Sequence, residues 1–280
     1  MHLMLLLLGV AIACGIRLGW RSQSERCCET TVLIQFLLPP GLVGATCLAV
    51  LGMGTHGKML GHSVGWFGFG LAAMGMAIAV GLLLWQYWLG WRSVQQLRQF
   101  PYQLIDIAHG YVIPHALPYA AQIGFWRSHL VVSQGLIARL SRDQLQAVLT
   151  HERAHQQFHD TFWFFWLGWI RRLTVWLPHT HHLWQELLLL RELRADAWAA
   201  QQVDPLLLAE TLLQVVQSSQ AVEPDWSAAF GTYESAQWLQ RRIDALISPA
   251  PVPMTEPRPI WLWVFNCMTL LPLATLWFHH

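Results

Sequence analysis

Three long stretches without a charged side chain constrain the fold more than any other feature of this sequence. They cover residues 30–55, 64–91 and 259–280. A helix of roughly 20 apolar residues crosses the hydrocarbon core of a bilayer, so each stretch is long enough to span a membrane. Only 12% of all residues are charged and 54% are hydrophobic, whereas about 25% of the residues of soluble domains are charged. The composition therefore indicates an integral membrane protein, and the net charge of +1 gives no sign of direct nucleic-acid binding.

The first apolar segment, residues 3–16, is shorter than the other three. It reaches a spanning length if the Arg17 side chain extends to the membrane interface beside Trp20. A cleaved signal peptide is the alternative, but such a peptide has a basic region before its apolar run, and none is present. The sequence thus predicts a three-helix transmembrane region over residues 1–91 and a fourth transmembrane helix over residues 260–280.

The distribution of basic residues predicts the orientation in the membrane, because short cytoplasmic loops are enriched in Arg and Lys. Three arginines lie between the first two helices, whereas Lys58 is the one basic residue between the second and third helices. We therefore expect a multi-pass protein of the cell membrane with both termini outside. Residues 92–248 form the predicted cytoplasmic domain, and a proline-rich linker over residues 249–259 leads to the last helix.

The predicted cytoplasmic domain contains an HExxH motif whose two histidines are His151 and His155. Residues four apart share one face of a helix, so both imidazoles can bind one Zn²⁺, with Glu152 beside them as the general base that activates water. The required helix is supported by Ser141 and Gln144, which have the spacing of a capping box at a helix start. The motif predicts a zinc-dependent peptidase.

A catalytic zinc site has three protein ligands and one open position. The best candidate for the third ligand is Glu192, which is followed four residues later by Asp196 on a second helical run. In this glutamate-zincin pattern, Glu192 binds the metal and Asp196 accepts the free N–H of a ligand histidine. In the alternative interpretation, both carboxylates form ion pairs with Arg191 or Arg194 on a solvated helix face.

Several elements are expected around this site. Residues 122–126 and 129–132 predict a β-hairpin. Its exposed edge would bind a peptide as an added strand, and a purely structural hairpin is the alternative. The aromatic segment 162–177 predicts an amphipathic helix in the membrane interface, with a fifth membrane span as the alternative. Residues 205–219 and 234–247 predict two further helices. The expected fold is a mainly α integral membrane protein with about four transmembrane helices and a glutamate-zincin-like α+β cytosolic domain.

The chain resembles the beta-lactam-receptor type, or penicillinase antirepressor type, of integral-membrane zinc metallopeptidase over residues 119–246. Antibiotic-sensing members carry a large extracellular domain after the last helix, whereas this sequence ends at His280, so we expect a member without the sensor domain. Three blocks of sequence carry the resemblance, namely residues 122–136 leading into the HExxH motif and Asp160, residues 176–196, and residues 239–243.

The resemblance implies one Zn²⁺ per chain and hydrolysis of peptide bonds in a protein or peptide substrate, such as a transcriptional repressor that is cleaved in the cytosol during signalling. Two alternatives are retained. One is quality control of membrane proteins, as in the heat-shock membrane zinc proteases, which share both motifs. The other is a non-catalytic, metal-bound membrane receptor or scaffold, which the presence of Glu152 disfavours.

Overall fold

The computed structural model describes most of the chain and divides it into two compact units. The first unit comprises Met1–Gln86, Leu167–Leu187 and Pro253–His280, and the second comprises Tyr87–Trp166 and Leu188–Val252. The predicted interfacial segment 162–177 is therefore divided between the two units. The residues with a described structure are 2–19, 29–55, 58–59, 62–63, 66–220, 228–248 and 269–278.

Apolar helices dominate the first unit. They are α1 (His2–Leu18), α2 (Glu29–Met53) and α3 (Trp66–Leu97), and α3 extends into the second unit. The short strands β1 (Lys58–Met59) and β2 (His62–Ser63) pair between α2 and α3.

Within the described residues, α2 and α3 are the two helices that are long and apolar enough to cross a membrane. α1 is apolar but has 17 residues. The predicted last helix, residues 260–280, lies largely outside the described residues, apart from a short 3₁₀ helix, Leu271–Phe278. The structure thus supports two candidate spans, and the arrangement of four transmembrane helices stays a prediction.

The Arg17 side chain is buried inside the first unit instead of extending to an interface. Its exposed fraction is 0%. Its Nη2 donates a hydrogen bond of 3.1 Å to the carbonyl oxygen of Phe36, and its guanidinium lies 5.6 Å from the centroid of the Phe36 ring. The packing of α1 against α2 supplies both contacts, so the prediction that Arg17 extends to the interface is wrong.

A mixed four-stranded sheet is the centre of the second unit. The strand order is β3 (Tyr102–Ile105), β4 (Ala108–Ile113), β6 (Ser128–Ser133) and β5 (Ala120–Gly124), so β3 and β5 lie at the two edges. β4 and β6 are parallel, and the other two pairs are antiparallel. The β5–β6 pair confirms the predicted hairpin, with Ala120 opposite Val132 and Gly124 opposite Ser128.

Helix α5 (Arg142–Gln157) carries the HExxH motif and packs on this sheet. It begins as predicted, because the Ser141 side chain accepts from the Gln144 N–H and the Gln144 side chain accepts from the Ser141 N–H. Leu145 and Leu149 join a core formed with sheet residues. The cap and the core together fix the position of the motif. The other helices of this unit are α4 (Gln134–Arg139), α8 (Pro205–Gln220) and α9 (Ala228–Ile247).

Two helices belong partly to each unit, namely α6 (Asp160–Leu173) and α7 (Thr180–Ala199). In the first unit, the indole N–H of Trp169 on α6 donates a hydrogen bond of 2.8 Å to the carbonyl oxygen of Ala79 on α3. This part of α6 therefore packs against a candidate membrane span. The interfacial position of the segment stays a prediction.

Candidate metal centre

The second unit brings together all five residues that the sequence predicts for the site. α5 supplies His151, Glu152 and His155, and α7 supplies Glu192 and Asp196. Four of these residues are buried, and Glu192 has 15% of its side chain exposed. The spacing of three or four residues within each motif places its polar side chains on one helix face, and these two faces meet.

Three of these side chains converge on one point. The Nε2 atoms of His151 and His155 are 3.2 Å apart. Oε2 of Glu192 is 3.4 Å from the first of these nitrogens, and Oε1 of Glu192 is 3.7 Å from the second. Two ligand atoms of a tetrahedral zinc ion with bonds of about 2.0–2.1 Å are themselves about 3.3 Å apart. The geometry of the three side chains therefore fits one Zn²⁺.

An aspartate lies behind each imidazole. Nδ1 of His155 is 2.7 Å from Oδ2 of Asp160. Nδ1 of His151 is 2.9 Å from Oδ1 of Asp196. This distance suits a hydrogen bond, although the ring N–H does not point straight at the oxygen. An ionised carboxylate only accepts hydrogen bonds, so each Nδ1 carries the proton and each Nε2 presents a lone pair. Two lone pairs 3.2 Å apart repel each other unless a cation lies between them, and a metal ion or a shared proton meets this need.

The position of Asp160 depends on the turn that ends α5. His159 has a φ of 56°, in the left-handed region that commonly follows the last turn of a helix. Asp160 then begins α6 and faces back toward His155, while Nη2 of Arg194 donates a hydrogen bond of 2.6 Å to its Oδ1. The sequence resemblance included Asp160 but gave it no role, because the contact depends on this turn and not on helical spacing.

Arg242 on α9 connects both carboxylates of α7. Its Nε and Nη2 donate to the two oxygens of Asp196 at 2.6 and 2.8 Å, and its Nη1 is 3.4 Å from Oε2 of Glu192. Arg191 also donates to Oε1 of Glu192, at 2.6 and 2.9 Å. The ion pair between Arg191 and Glu192, considered as an alternative to metal binding, therefore exists beside the metal-binding cluster. Arg242 lies 46 residues after Asp196, so no spacing in the sequence indicates its role.

Burial and these charges shift the pKa values of Glu152 and Glu192 in opposite directions. Burial raises the pKa of Glu152 above its ordinary value. Burial would also raise the pKa of Glu192, but the hydrogen bond with His151 and the charge of Arg242 hold it well below its usual range. Near neutral pH, Glu192 is thus a fixed anion suited to binding a cation, whereas Glu152 is the more basic carboxylate and is suited to proton transfer.

The same charges act on His151. Burial alone would lower its pKa, but Asp196 and Glu192 outweigh burial and raise the pKa to about 9. In the absence of a metal, the His151 imidazole is therefore protonated near neutral pH, with its two ring nitrogens facing Asp196 and Glu192. A zinc ion that binds at this position displaces the proton, as metal binding to histidine generally does.

An HExxH helix that faces a glutamate on a second helix offers the two-histidine, one-glutamate ligand set that is used by zinc peptidases. Residues 105–240 match the family model described as Peptidase family M48. The matched segment contains both helices of the candidate metal site, α5 and α7, and supports a zinc metallopeptidase domain. The match does not confirm the beta-lactam-receptor subtype, which stays a prediction. Comparisons with curated proteins and with solved structures gave no match.

Proposed function

We propose that the chain is a membrane-anchored zinc endopeptidase in which His151, His155 and Glu192 hold one Zn²⁺ and Glu152 is the general base. The observation that supports this most strongly is the pair of imidazoles backed by aspartates, with Nε2 atoms 3.2 Å apart beside Glu192. When bound, zinc polarises the scissile carbonyl group and stabilises the negative charge that develops on its oxygen. Three protein ligands leave the open position that catalysis requires.

Glu152 moves the protons in this mechanism. Its Oε2 is buried and has no hydrogen-bond partner among the described residues, and burial raises the pKa of the carboxyl group. The carboxylate accepts a proton from the attacking water and then delivers it to the amine that leaves. Asp160 and Asp196 hold the two imidazoles in one orientation, and Arg242 keeps Asp196 ionised.

The edge strand β5 is the proposed platform for the peptide. It contacts α5, and Ser133 donates its N–H to the carbonyl oxygen of Tyr119 directly before the strand. Bonded pairs alternate along antiparallel strands, so residues 121 and 123 face β6, whereas residues 120, 122 and 124 present their N–H and C=O groups outward. An extended substrate would pair with these outward groups as an added strand.

We place the catalytic domain, residues 92–248, on the cytoplasmic side, with both termini outside and the bilayer as a partner. The distribution of arginines supports this orientation, and the apolar helices α2 and α3 supply candidate anchors. Regulatory cleavage of a cytosolic repressor is the first substrate hypothesis, because the sequence resemblance implies it. Quality control of membrane proteins is the second hypothesis, and the membrane-spanning composition of α2 and α3 is the observation that favours it.

New protein N-termini in cells that express the wild type can be compared with those in cells that express Glu152→Gln. One cytosolic DNA-binding protein cleaved at one position would support regulation. Many cleaved membrane proteins would support quality control.

Purified protein in detergent tests the mechanism directly. We expect about one zinc per chain in the wild type and in Glu152→Gln, with hydrolysis of an unfolded protein substrate by the wild type alone. Glu210→Gln is the matched control, because Glu210 is an exposed glutamate on α8 and its loss leaves both zinc and hydrolysis unchanged. Hydrolysis by Glu152→Gln at the wild-type rate would contradict the role of Glu152, and a chain without zinc under non-chelating conditions would contradict the metal site.

A further inference from the structure

A patch of aromatic side chains surrounds the tip of the β5–β6 hairpin. The ring centroid of Phe125 is 4.4 Å from that of Phe165 and 5.4 Å from that of Phe162. Trp126 lies 5.0 Å from Phe162 by the same measure. Yet Trp126 is 79% exposed and Trp163 on α6 is 58% exposed. The set, termed the hairpin patch, consists of Phe125, Trp126, Phe162, Trp163, Phe165 and Trp166.

Two features of the hairpin patch favour a membrane surface as its partner. Two exposed tryptophans, Trp126 and Trp163, are joined through the half-buried Phe162 into a continuous aromatic surface. Such a surface marks an interaction site more often than a solvated surface, and Trp is the residue that concentrates at headgroup depth in bilayers. Directly after Trp126, the exposed Arg127 supplies a positive charge that suits lipid phosphates.

The end of α3 lies in the same unit and has the features of a membrane interface. Tyr87, Trp88 and Trp91 are exposed there, and the guanidinium of Arg92 lies 5.3 Å from the Trp88 ring centroid. These residues end the uncharged stretch 64–91, where an aromatic belt is expected in a membrane helix.

The hairpin lies near this end of α3. Arg98 follows Trp91 by seven residues, about 10 Å along a helix axis. Tyr102, five residues after α3 ends at Leu97, has its ring centroid 5.0 Å from that of Tyr111, and the Tyr111 centroid is 5.8 Å from that of His129 in the hairpin. His129 is in turn three residues from Trp126, a separation of at most about 10 Å.

We propose that the hairpin patch inserts into the phospholipid interface, with Trp126 and Trp163 at headgroup depth and Arg98 and Arg127 facing lipid phosphates. The proposal rests on the membrane anchoring given under the proposed function. An apolar side chain of a peptide substrate is the other possible occupant. The neighbouring aromatic belt of α3 favours lipid, because it places a bilayer surface beside the hairpin.

This placement also narrows the substrate class. Phe162 of the hairpin patch lies two residues after Asp160, whose carboxylate holds His155 at 2.7 Å. The patch also directly follows β5, the proposed platform for the peptide. A peptide paired with β5 therefore lies close to the lipid surface, which favours the second of the two substrate hypotheses, membrane proteins, cleaved in a segment next to the bilayer.

Fluorescence quenching by brominated lipids tests the position of the patch. The full chain would carry Glu152→Gln, serine in place of the native cysteines, and Trp126→Cys labelled with a nitrobenzoxadiazole probe, in phosphatidylcholine and phosphatidylglycerol vesicles. We expect lipids brominated near the headgroup end of the acyl chain to reduce the probe emission at least twofold. A probe at Trp163→Cys should behave in the same way. These two side chains are largely exposed, so their replacement leaves the core intact.

Two controls make the result decisive. A probe at Met74→Cys, in the apolar part of α3, should be quenched, and a probe at Arg142→Cys, where the side chain is 84% exposed, should not. If the Met74 probe is quenched and the Trp126 probe is not, the proposal is overturned. It is also overturned if the Trp126 probe leaves water only when a peptide substrate is added, or if the Met74 probe is unquenched. Zinc content of the same protein reports separately on the proposed metal site.

Discussion

Each histidine nitrogen that faces the proposed metal position is fixed by a carboxylate on the other side of its ring. Asp160 holds His155, and Asp196 holds His151. Both aspartates are in turn ion-paired, with Arg194 and Arg242 respectively. Orientation of the imidazoles, and not their presence alone, therefore determines the affinity for the metal.

Asparagine in place of Asp160 or Asp196 should weaken zinc binding about 10- to 100-fold, because the imidazole loses its charged hydrogen-bond acceptor. Competitive titration with a chromophoric chelator measures this affinity. Asp143→Asn is the matched control, since Asp143 is an exposed residue in the first turn of α5. Equal zinc affinities for all three variants would show that the aspartates do not position the ligands.

We expect Arg242 to contribute to the thermal stability of the protein as well as to metal binding. Its side chain is 14% exposed, and its removal leaves Asp196 and Glu192 without their shared cation. Breaking a buried ion pair on one side costs about 3–5 kcal/mol, so Arg242→Met should lower the thermal unfolding midpoint in detergent markedly. The neighbouring Arg241→Met is the control, because Arg241 is exposed and surface ion pairs contribute at most about 1 kcal/mol. A similar unfolding midpoint for Arg242→Met and Arg241→Met would show that the ion pairs of Arg242 do not stabilise the protein.

Among the helices and strands, the helix that carries the HExxH motif was the easiest to predict from the sequence. Ser141 and Gln144 marked its start through local hydrogen bonds, and the spacing of His151 and His155 placed both imidazoles on one face. These signals are local, because they depend on residues within one or two turns. The hairpin of β5 and β6 was predictable for the same reason, since its two strands adjoin in sequence.

Contacts between distant elements were not open to prediction. The parallel pairing of β4 with β6 joins strands separated by β5, and Arg242 reaches Asp196 from another helix. The burial of Arg17 was likewise not predictable from the sequence, since it depends on the packing of α2 against α1. Hydrophobic pattern predicts that a helix is apolar but not which polar side chain its neighbour accommodates.

The proposed role of β5 predicts a position-specific effect of proline. Gln122→Pro removes an outward N–H from β5 without removing a bond to β6, and proline is tolerated on edge strands. We expect kcat/KM for a long peptide to fall at least 10-fold, on the order of 1.4 kcal/mol, while zinc content stays unchanged. Leu104→Pro is the control, because the bond from Val112 to Pro101 implies that the N–H of Leu104 points outward from the opposite edge strand, β3. An equal loss in both variants would mean that β5 has no special role.

Across the whole molecule, we propose that one part anchors the chain in the membrane and that another part carries out catalysis. The apolar helices α2 and α3 supply the candidate anchors, and the residues of the metal centre all belong to the second unit. The chain has few charges, but the site combines three carboxylates and three arginines that contact the two histidines or each other, namely Asp160, Glu192, Asp196, Arg191, Arg194 and Arg242. Charge is thus concentrated at the proposed metal site.

The proposed topology predicts which residues a membrane-impermeant thiol reagent reaches in intact cells. A cysteine introduced at Lys58 should react, because the loop that contains it is placed outside. A cysteine introduced at Arg142 should react only after the cells are permeabilised, because the catalytic domain is placed in the cytoplasm. The opposite pattern of labelling would show that the orientation is inverted.

X-ray absorption at the zinc K edge of the purified chain tests the proposed ligand set at the metal itself. We expect about one zinc per chain, with nitrogen and oxygen neighbours near 2.0–2.1 Å, scattering from two imidazoles and no sulfur neighbour. Glu192→Ala should lose one oxygen neighbour or lose the metal, whereas Glu210→Ala should give the wild-type spectrum. A wild-type spectrum with sulfur ligands, or with no imidazole scattering, would contradict the assignment of His151, His155 and Glu192 as the metal-binding residues.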